Sequence, residues 1–354
     1  MKLLITGANG FLGKYVVADA LRRGHYVCAM VRSTADAERN GWLHHPRIEL
    51  RQADLRRRKG LADAVRGVDA VLHLAAAKAG DVYAQYGGTV VATENLLAAM
   101  EEAGVRRIVS VSSFSVYDYM KAPYFSTVSE LSPVEKDALD RDEYAHTKLV
   151  QERLVRTWCT EREWDFTILR PGVIFGRDNL WSARLGVKGE RAWVRIGAWA
   201  RLPLTYAENC AEAIVMAAEV DGAKNQILNV VDDEMPTQRR YVALLRRREK
   251  RKPVVVPVPY SAMWLLAGGA KLFNKWFCGG RAKVPGILVP CRLAARGKPL
   301  RYTNAGIKRA MGWKPRFTLA EALDRSLALE DAALAEVRAG AVPPPANQAV
   351  KGAA

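Results

Sequence analysis

The first thirteen residues place a glycine-rich turn between a strand-length apolar run and a segment of helical periodicity. Residues 2–6 are the apolar run, Gly7, Gly10 and Gly13 follow, and residues 11–23 carry apolar side chains at helical spacing. Glycine permits a tight turn, lets the backbone approach a pyrophosphate, and allows a helix to pack closely on a sheet. The phosphates then face a helix N-terminus, where unpaired N–H groups and the helix dipole favour negative charge. In this context the three glycines predict dinucleotide binding.

Apolar segments of strand length alternate with helical segments through the first half of the chain. The strands are predicted at residues 26–31, 48–50, 69–76, 105–112 and 166–169, and the helices at residues 89–104 and 143–158. Strands that are apolar almost throughout are typical of a parallel sheet covered on both faces. With right-handed crossovers, this order predicts an α/β fold with a doubly wound parallel (Rossmann) sheet.

The pattern loosens after residue 172, which predicts a smaller C-terminal substrate lobe. Residues 1–172 are expected to form the dinucleotide-binding domain, and residues 205–231 to return to it. Residues 173–204 and 232–330 would then cover the carboxyl ends of the strands, where ligands bind in such folds. From residue 333 onward Ala, Pro and Gly dominate, so a disordered tail is predicted over 333–354.

Cysteine and histidine usage gives no sign of a disulfide framework or of a metal site. The five cysteines lie far apart, and neither they nor the five histidines show metal-ligand spacing. Scattered, odd-numbered cysteines favour free thiols in a reducing compartment. Because the first strand begins at residue 2, we expect no secretory signal and a cytoplasmic location.

The formal net charge of +17 is concentrated in basic runs at residues 56–59 and 239–252. Such runs can bind nucleic acid or an anionic membrane surface, but no nucleic-acid motif accompanies them, so a solvated basic face is favoured over a specific nucleic-acid partner.

The longest apolar stretch, 254–270, contains two prolines and is too short to span a membrane. A helix predicted over 261–277 either caps a substrate pocket, which we favour, or lies on a membrane surface as a peripheral contact. The sequence leaves monomer or homodimer open.

Arg32 stands at the end of the second predicted strand, where an acidic residue would hold a ribose 2′-hydroxyl. An arginine there suits a 2′-phosphate, so NADP is the expected cofactor, with NAD as the alternative. Asp54, after the third strand, is a candidate acceptor for the adenine amino group; a generic loop carboxylate without that role is the close alternative.

A tyrosine and a lysine four residues apart open the helix predicted from residue 143. Tyr144 and Lys148 therefore project from one helical face. A free tyrosine, with a pKa of about 10, is a poor base, and a nearby ammonium is expected to lower that pKa. Tyr117 and Lys121 have the same spacing, but the Pro123 that follows argues against a helix there. We therefore expect the later pair to be catalytic.

These motifs together resemble the extended short-chain dehydrogenase/reductase family, in its NAD-dependent epimerase/dehydratase branch. The resemblance covers residues 1 to about 330. The matching segments are residues 6–13, 73–76, 112–117, 144–148, 169–176 and 309–315.

The resemblance implies a role for each matching residue. Ser113 would orient the substrate oxygen, with Ser112 and Ser115 as alternatives, Tyr144 would be the acid/base, and Lys148 would hold the nicotinamide ribose. The residues expected to contact the cofactor are Thr6, Gly7, Asn9, Gly10, Phe11, Leu12, Gly13, Arg32, Asp54, Leu55, Leu74, Ala75, Ala76, Lys148, Pro171 and Val173.

Two departures from the family pattern bear on the substrate. Residues 89–95 lack the first Asn and the Gly of a motif common in the family, and many nucleotide-sugar epimerases have Asn where this chain has Gly172. The Arg-Pro-Gly sequence at 170–172 also occurs in relatives of flavonol reductases and 3β-hydroxysteroid dehydrogenases.

The leading interpretation is an enzyme that transfers hydride at a secondary alcohol or ketone carbon of a small-molecule substrate, a nucleotide-linked sugar. The alternatives are an NADP-dependent reductase or dehydrogenase of an apolar hydroxy or keto compound, and a non-enzymatic dinucleotide-binding or nucleic-acid-associated protein.

Overall fold

The computed structural model describes residues 1–35, 40–136, 141–277, 279 and 286–340. Its strands are Lys2–Thr6 (β1), Tyr26–Val31 (β2), Ile48–Gln52 (β3), Ala70–His73 (β4), Arg107–Val111 (β5), Thr127–Val128 (β6), Asp165–Pro171 (β7), Val173–Phe175 (β8), Gly186–Lys188 (β9), Ala192–Ile196 (β10), Leu204–Tyr206 (β11), Gln226–Val230 (β12), Val254–Val258 (β13) and Arg301–Tyr302 (β14). Its α-helices are Phe11–Arg22 (α1), Leu61–Val65 (α2), Val82–Tyr86 (α3), Ala92–Ala103 (α4), Glu143–Glu161 (α5), Ala207–Glu219 (α6), Gln238–Arg248 (α7), Tyr260–Phe277 (α8), Pro290–Gly297 (α9), Ala305–Met311 (α10), Leu319–Leu327 (α11) and Ala332–Ala339 (α12).

Seven strands form one parallel sheet in the order β3-β2-β1-β4-β5-β7-β12. The chain runs outward from β1 to β3, then crosses back to place β4 on the other side of β1. This reversal confirms the predicted doubly wound α/β fold. It also creates a crevice between the carboxyl ends of β1 and β4, where such folds bind their ligands.

Alternate residues of β1 enter different cores on the two faces of the sheet. Leu3 and Ile5 pack in the core that includes α1 and α6, while Leu4 packs in the core that includes α4 and α5. All three side chains are fully buried. A strand buried on both faces is therefore apolar throughout, which is the pattern of residues 2–6.

A smaller core lies in the C-terminal half and includes Trp193, Tyr241 and Leu323. Around it are a three-stranded sheet of order β13-β10-β9 and the two-stranded pair β11-β8. Residues 305–313 differ from the expectation that all of 232–330 lies in the substrate lobe. They pack in the core of the main sheet through the side chains of Ile307, Met311 and Trp313.

The fourth strand is shorter than the predicted 69–76, because the chain leaves the sheet after His73. The amide nitrogens of Leu74 and Ala75 donate to the hydroxyl oxygen of Thr6 at 3.2 and 3.3 Å, instead of to a neighbouring strand. The loop after β4 is thereby held against the end of β1.

The expected disordered tail is wrong for residues 333–340. Helix α12 packs on α1, with the side chain of Val337 buried. The Tyr15 hydroxyl donates to Oδ2 of Asp331 at 2.6 Å just before α12 begins. Residues 341–354 lie outside the described residues. In the described part of the chain, no helix is both long and apolar enough to cross a membrane.

Candidate active site

The turn between β1 and α1 leaves no room for side chains at two of its glycines. Gly7 has a φ of 69°, and a Cβ there would lie 3.0 Å from the amide nitrogen of Ala75. A Cβ on Gly13 would lie 2.1 Å from the carbonyl oxygen of Gly7. Gly10 is the N-cap of α1 and brings no capping side chain. The first-turn N–H groups of α1 thus face the crevice without a side-chain acceptor, a cradle that fits a diphosphate.

Several predicted cofactor residues meet at this crevice. The Phe11 ring comes within 3.3 Å of where a Cβ would stand on Gly176, next to the segment of Val173. Asn9, Leu74, Ala75 and Ala76 are half-buried on neighbouring loops, whereas Leu12, Leu55 and Pro171 are buried. Thr6 is different, because it is fully buried and its hydroxyl binds the loop after β4. Its side chain therefore organises the crevice from within.

Arg32 and Asp54 lie at the ends of β2 and β3. The Arg32 side chain is exposed. Asp54 accepts from Nη2 of Arg56 at 2.6 Å, and hydrogen bonds from Arg56, aided by the charge of Arg32, lower the pKa of Asp54 to about 2. Asp54 is thus an ionised carboxylate that is already paired with an arginine.

Helix α5 carries Tyr144 and Lys148 on one face, and Ser113 meets Tyr144 from the end of β5. Asp142 caps α5 by accepting from the amide nitrogen of Ala145 at 2.7 Å. The Ser113 hydroxyl oxygen accepts from the amide of Ser115 at 3.1 Å, and its side chain is hydrogen-bonded to Tyr144. Since the amide uses an acceptor position on Ser113, the serine hydrogen can be donated to the phenol oxygen.

The two alternative serines have other surroundings. Ser112 donates its hydroxyl to Glu152, whose carboxylate is paired with Arg170 at 2.7 Å (Nη2 to Oε2). The hydroxyl oxygen of Ser115 is buried and has no partner among the described hydrogen bonds. Only Ser113 of the three is bonded to Tyr144 in the described residues, so it is the serine that can share a substrate oxygen with the tyrosine.

The acid–base properties of the pair differ from the expectation. Burial raises the pKa of Tyr144 to about 12, although the Ser113 hydrogen bond opposes this. Burial lowers the pKa of Lys148 to about 7, and the charge of Lys78 lowers it further. The pKa of Tyr144 in the free protein therefore lies above its ordinary value, opposite to the expected direction, and it is governed by burial, Ser113 and Asp142.

Lys148 is held by a buried polar network that sequence patterns did not predict. Its Nζ donates to the carbonyl oxygen of Val111 at 2.7 Å and to Oε1 of Gln151 at 2.8 Å. Nε2 of Gln151 donates to the Thr93 hydroxyl at 2.8 Å and lies 3.1 Å from Nε2 of His73. An ammonium has three hydrogens, so two are used inside the protein and one is left for a ribose hydroxyl.

The same network reaches the glycine turn through His73. Its Nδ1 lies 2.8 Å from the Thr6 hydroxyl, and its Nε2 lies 2.9 Å from the Thr93 hydroxyl. Burial lowers the pKa of His73 to about 3, so the imidazole is neutral. A continuous chain of hydrogen bonds thus joins the end of β1 to the amine of Lys148.

The earlier Tyr117–Lys121 pair is structural. The Tyr117 hydroxyl is buried, donates to Oδ1 of Asn229 at 2.6 Å, and accepts from Nη1 of Arg170 at 3.2 Å. The exposed Lys121 pairs with the buried carboxylate of Asp118 at 2.9 Å. The two side chains serve separate contacts, as the proline after Lys121 suggested.

A small open cleft in the C-terminal half lies near the N-terminus of α5, since α9, which lines the cleft, contacts Arg141 through Arg292. Its lining includes Arg184 and Arg296, neither of which was predicted from the sequence. Burial, with the charges of Arg292 and Arg184, lowers the pKa of Arg296, while the charge of Asp142 raises it. Arginine remains charged throughout, so this cleft concentrates positive charge close to the helix that carries Tyr144.

In the described residues, His, Cys, Asp and Glu side chains do not gather in groups of three or more that could hold a metal ion.

The sequence model of the NAD-dependent epimerase/dehydratase family matches residues 3–230, which include the glycine turn, Ser113, Tyr144 and Lys148. The chain belongs to this family.

Relatives within the epimerase/dehydratase family differ in their named activities. The chain is 28% identical over 346 residues to the 3 beta-hydroxysteroid dehydrogenase/Delta 5→4-isomerase of Mycobacterium tuberculosis, covering 92% of this chain and 89% of the relative. It is 26% identical to an N-acetyl-alpha-D-glucosaminyl-diphospho-ditrans,octacis-undecaprenol 4-epimerase of Escherichia coli O157:H7, covering 93% and 95%. Both are enzymes, and so is this chain.

Solved structures support the same fold. A UDP-glucuronic acid 4-epimerase from Bacillus cereus, in complex with NAD, has a TM-score of 0.70 at 16% identity and covers 96% of this chain and 100% of that chain. The epimerase/dehydratase fold therefore extends through the C-terminal half of the chain as well.

At Gly172 this member of the epimerase/dehydratase family has no room for a side chain. A Cβ at this position would lie 2.1 Å from the carbonyl oxygen of Pro203, which accepts from the amide nitrogen of Val173 at 2.6 Å. The Asn that many nucleotide-sugar epimerases carry here does not fit without a shift of the backbone.

Proposed function

We propose that the protein catalyses NADP(H)-dependent hydride transfer at a secondary alcohol or ketone carbon of a diphosphate-linked sugar. The observation that carries the substrate class is the pair Arg184 and Arg296 in the cleft beside α5. Dependence on a nicotinamide cofactor follows from the family. The preference for NADP is supported by Arg32, and the diphosphate by the cleft.

The protein's own groups divide the acid–base work. Ser113 donates a hydrogen bond to the substrate oxygen, and Tyr144 gives a proton to that oxygen in reduction or takes it in oxidation. Lys148 holds the nicotinamide ribose with its remaining hydrogen. The nicotinamide, when bound, delivers the hydride to the carbon or removes it. Since the pKa of Tyr144 is about 12, the free protein holds the phenol form, which is the form that donates a proton to a ketone.

The positive charges of Arg184 and Arg296 in the cleft favour a substrate with an anionic group. The described ion pairs include no carboxylate partner for Arg184 or Arg296, and Nη2 of Arg184 donates to the neutral hydroxyl of Tyr119 at 3.3 Å. Planar guanidinium groups bind phosphate oxygens with two parallel hydrogen bonds. The substrate named for the E. coli relative contains a diphosphate between a sugar and a lipid. A diphosphate bound there would neutralise the two arginines, and the proposal requires that its sugar reach Ser113 and Tyr144.

The test uses the full chain with NADPH, NADH and their oxidised forms, and UDP-N-acetylglucosamine as the diphosphate-linked probe. Arg296→Gln should raise KM for this probe about 10- to 100-fold, because a charge-assisted hydrogen bond is lost. Arg301→Gln, an exposed arginine of the C-terminal half, is the control and should leave KM unchanged. Equal KM values for the two variants would rule out diphosphate recognition by the cleft. Absence of any Tyr144-dependent turnover would rule out the catalytic proposal itself.

A second candidate is a dehydrogenase or reductase of an apolar secondary alcohol. It is favoured by Gly172, whose surroundings exclude the Asn of many nucleotide-sugar epimerases, and by the steroid named for the mycobacterial relative. A 3β-hydroxysteroid assayed beside UDP-N-acetylglucosamine separates the two. Turnover of the steroid that Arg296→Gln does not change, with none of the sugar, would select this candidate.

A further inference from the structure

Helix α8 presents a row of large apolar side chains to solvent. Three leucine, two phenylalanine and one tryptophan side chain make up this row, and none is more than half covered. The exposed fractions are Leu265 78%, Leu266 57%, Leu272 61%, Phe273 60%, Trp276 78% and Phe277 77%. Single exposed apolar residues are ordinary, but a contiguous group marks a surface that binds a partner or a membrane.

These six residues, called here the α8 stripe, share one side of the helix. At 100° per residue they fall within an arc of about 140°. Met263 and Ala267 lie on the opposite side, are buried, and pack with Leu293 of α9. The helix is therefore attached to the protein by one apolar face and turns a second apolar face outward. Core packing accounts for the first face only.

The stripe lies in the most basic part of the chain. Residues 235–320 contain 20 Lys and Arg and a single acidic residue, Glu249, whereas the other 268 residues contain 34 Lys and Arg and 36 Asp and Glu. All of the excess positive charge of the protein thus belongs to the segment that contains α8. Lys275, on the flank of the stripe, is exposed.

We propose that the α8 stripe docks on the surface of an anionic phospholipid bilayer, with its leucine and aromatic side chains inserted at the level of the headgroups. An apolar helical face with cations around it is the arrangement that binds such surfaces. Trp276 has an apolar ring with a polar N–H, which suits the boundary between headgroups and acyl chains. The stripe contributes apolar contact, and the basic segment contributes attraction to the lipid charge.

The charge distribution favours a bilayer over the two other occupants. A second copy of this chain, docked stripe to stripe, would bring two strongly basic segments together, and the repulsion would oppose the dimer. A nucleic acid would be attracted by the positive charge, but its phosphate backbone offers no apolar surface to cover the leucine and phenylalanine side chains of the α8 stripe. Docking on a bilayer does not depend on the proposed activity, and its test requires no turnover.

The experiment measures sedimentation of the full chain with vesicles of phosphatidylcholine alone and of phosphatidylcholine with phosphatidylglycerol at 7:3. We expect at least about tenfold stronger partitioning onto the anionic vesicles, weakened by salt. Leu272→Glu/Phe277→Glu should reduce that partitioning by about tenfold or more, because it removes inserted apolar area. Leu131→Glu/Leu329→Glu is the matched control, since it places the same two charges at exposed leucines elsewhere. Thermal unfolding of both variants verifies that they are folded.

Three results would overturn the proposal. One is equal binding of the stripe variant and the control, which would show attraction by charge alone. Another is failure of the folded wild-type chain to bind the anionic vesicles. The last is a dimer in sedimentation velocity that Leu272→Glu/Phe277→Glu dissociates, which would assign the stripe to a second copy. Retention of DNA binding by the stripe variant, with vesicle binding lost, would instead support the assignment of the stripe to lipid.

Discussion

Nζ of Lys148 lies 2.8 Å from the side-chain oxygen of Gln151, one turn further along α5. The amide nitrogen of Gln151 is fixed in turn by the hydroxyl of Thr93. The glutamine is thus oriented so that its oxygen, and not its nitrogen, faces the ammonium. Gln151 is a positioning residue, because it acts on the cofactor through Lys148.

Replacement of Gln151 should change the pH dependence of the reaction. With a pKa of about 7, Lys148 is an ammonium below pH 7 and loses its proton above it. Gln151→Leu removes an acceptor of that ammonium, so the pKa falls further and the rate above pH 6 drops by about tenfold. Gln151→Glu adds a negative charge, which raises the pKa of Lys148 and extends activity to higher pH. Rate–pH profiles of the two variants are the measurement, and profiles that coincide with the wild type would contradict the role.

Loss of the Tyr144 hydroxyl should abolish turnover without unfolding the protein. Tyr144→Phe removes the proton donor, and kcat is expected to fall by a factor of about 10²–10⁴. Tyr117→Phe is the matched variant, because it removes a buried hydroxyl that bonds Asn229 and Arg170 and serves the fold. It should lower the free energy of unfolding by about 1–3 kcal/mol and leave kcat within a few-fold. Steady-state kinetics and urea denaturation distinguish the two variants. A large fall in kcat for Tyr117→Phe, with kcat retained in Tyr144→Phe, would refute the assignment of Tyr144 as the acid/base.

Burial of His73 should make the protein acid-sensitive. Its pKa is about 3 in the folded chain and about 6.5 when unfolded, so between these values the unfolded chain binds more protons. The stability that neutral His73 provides is complete above pH 6.5 and is lost as the pH falls towards 3, by up to about 1.4 kcal/mol per pH unit. Urea denaturation from pH 7 to 4.5 should show a smaller pH slope for His73→Gln than for the wild type. The exposed His44→Gln should keep the wild-type slope; the same slope in all three proteins would disprove the assignment.

Reversal of the charge at Arg32 should exchange the cofactor preference. Arg32→Asp places a carboxylate where a 2′-phosphate is expected, so KM for NADPH should rise by about 10- to 100-fold while NADH binding is retained or improved. The measurement is kcat/KM for both cofactors. Arg301→Asp carries the same charge change on an exposed arginine away from β2 and should leave the ratio unaltered. An unaltered ratio in Arg32→Asp would favour NAD as the natural cofactor.

Features encoded by neighbouring residues could be predicted from the sequence. The turn from Gly7 to Gly13 and the four-residue spacing of Tyr144 and Lys148 are local, and alternation of apolar segments was sufficient for the doubly wound sheet. Residues that matter through distant contacts could not be predicted. His73 stands in an apolar strand, and its role depends on Thr93 and Gln151. Arg296 becomes informative only when α9 folds against the start of α5.

Two predictions, the disordered tail and the direction of the Tyr144 pKa, failed for physical reasons that composition and spacing do not report. The alanine-rich residues 333–339 were assigned to a disordered tail, but alanine is the strongest helix former, and Val337 supplies a buried contact. The pKa of Tyr144 was expected to fall because Lys148 is near in sequence. Burial, which a spacing motif does not report, decides its direction instead.

The contact of α12 with α1 has a consequence for synthesis of the protein. Tyr15 on α1 bonds Asp331, 316 residues further along the chain, and the edge strand β12 ends only at Val230. The helix that follows the glycine turn therefore depends on a segment that is synthesised long after it. Helix α1 reaches its final packing only when α12 has folded onto it, so the surroundings of the glycine turn are completed by contacts between residues far apart in the sequence.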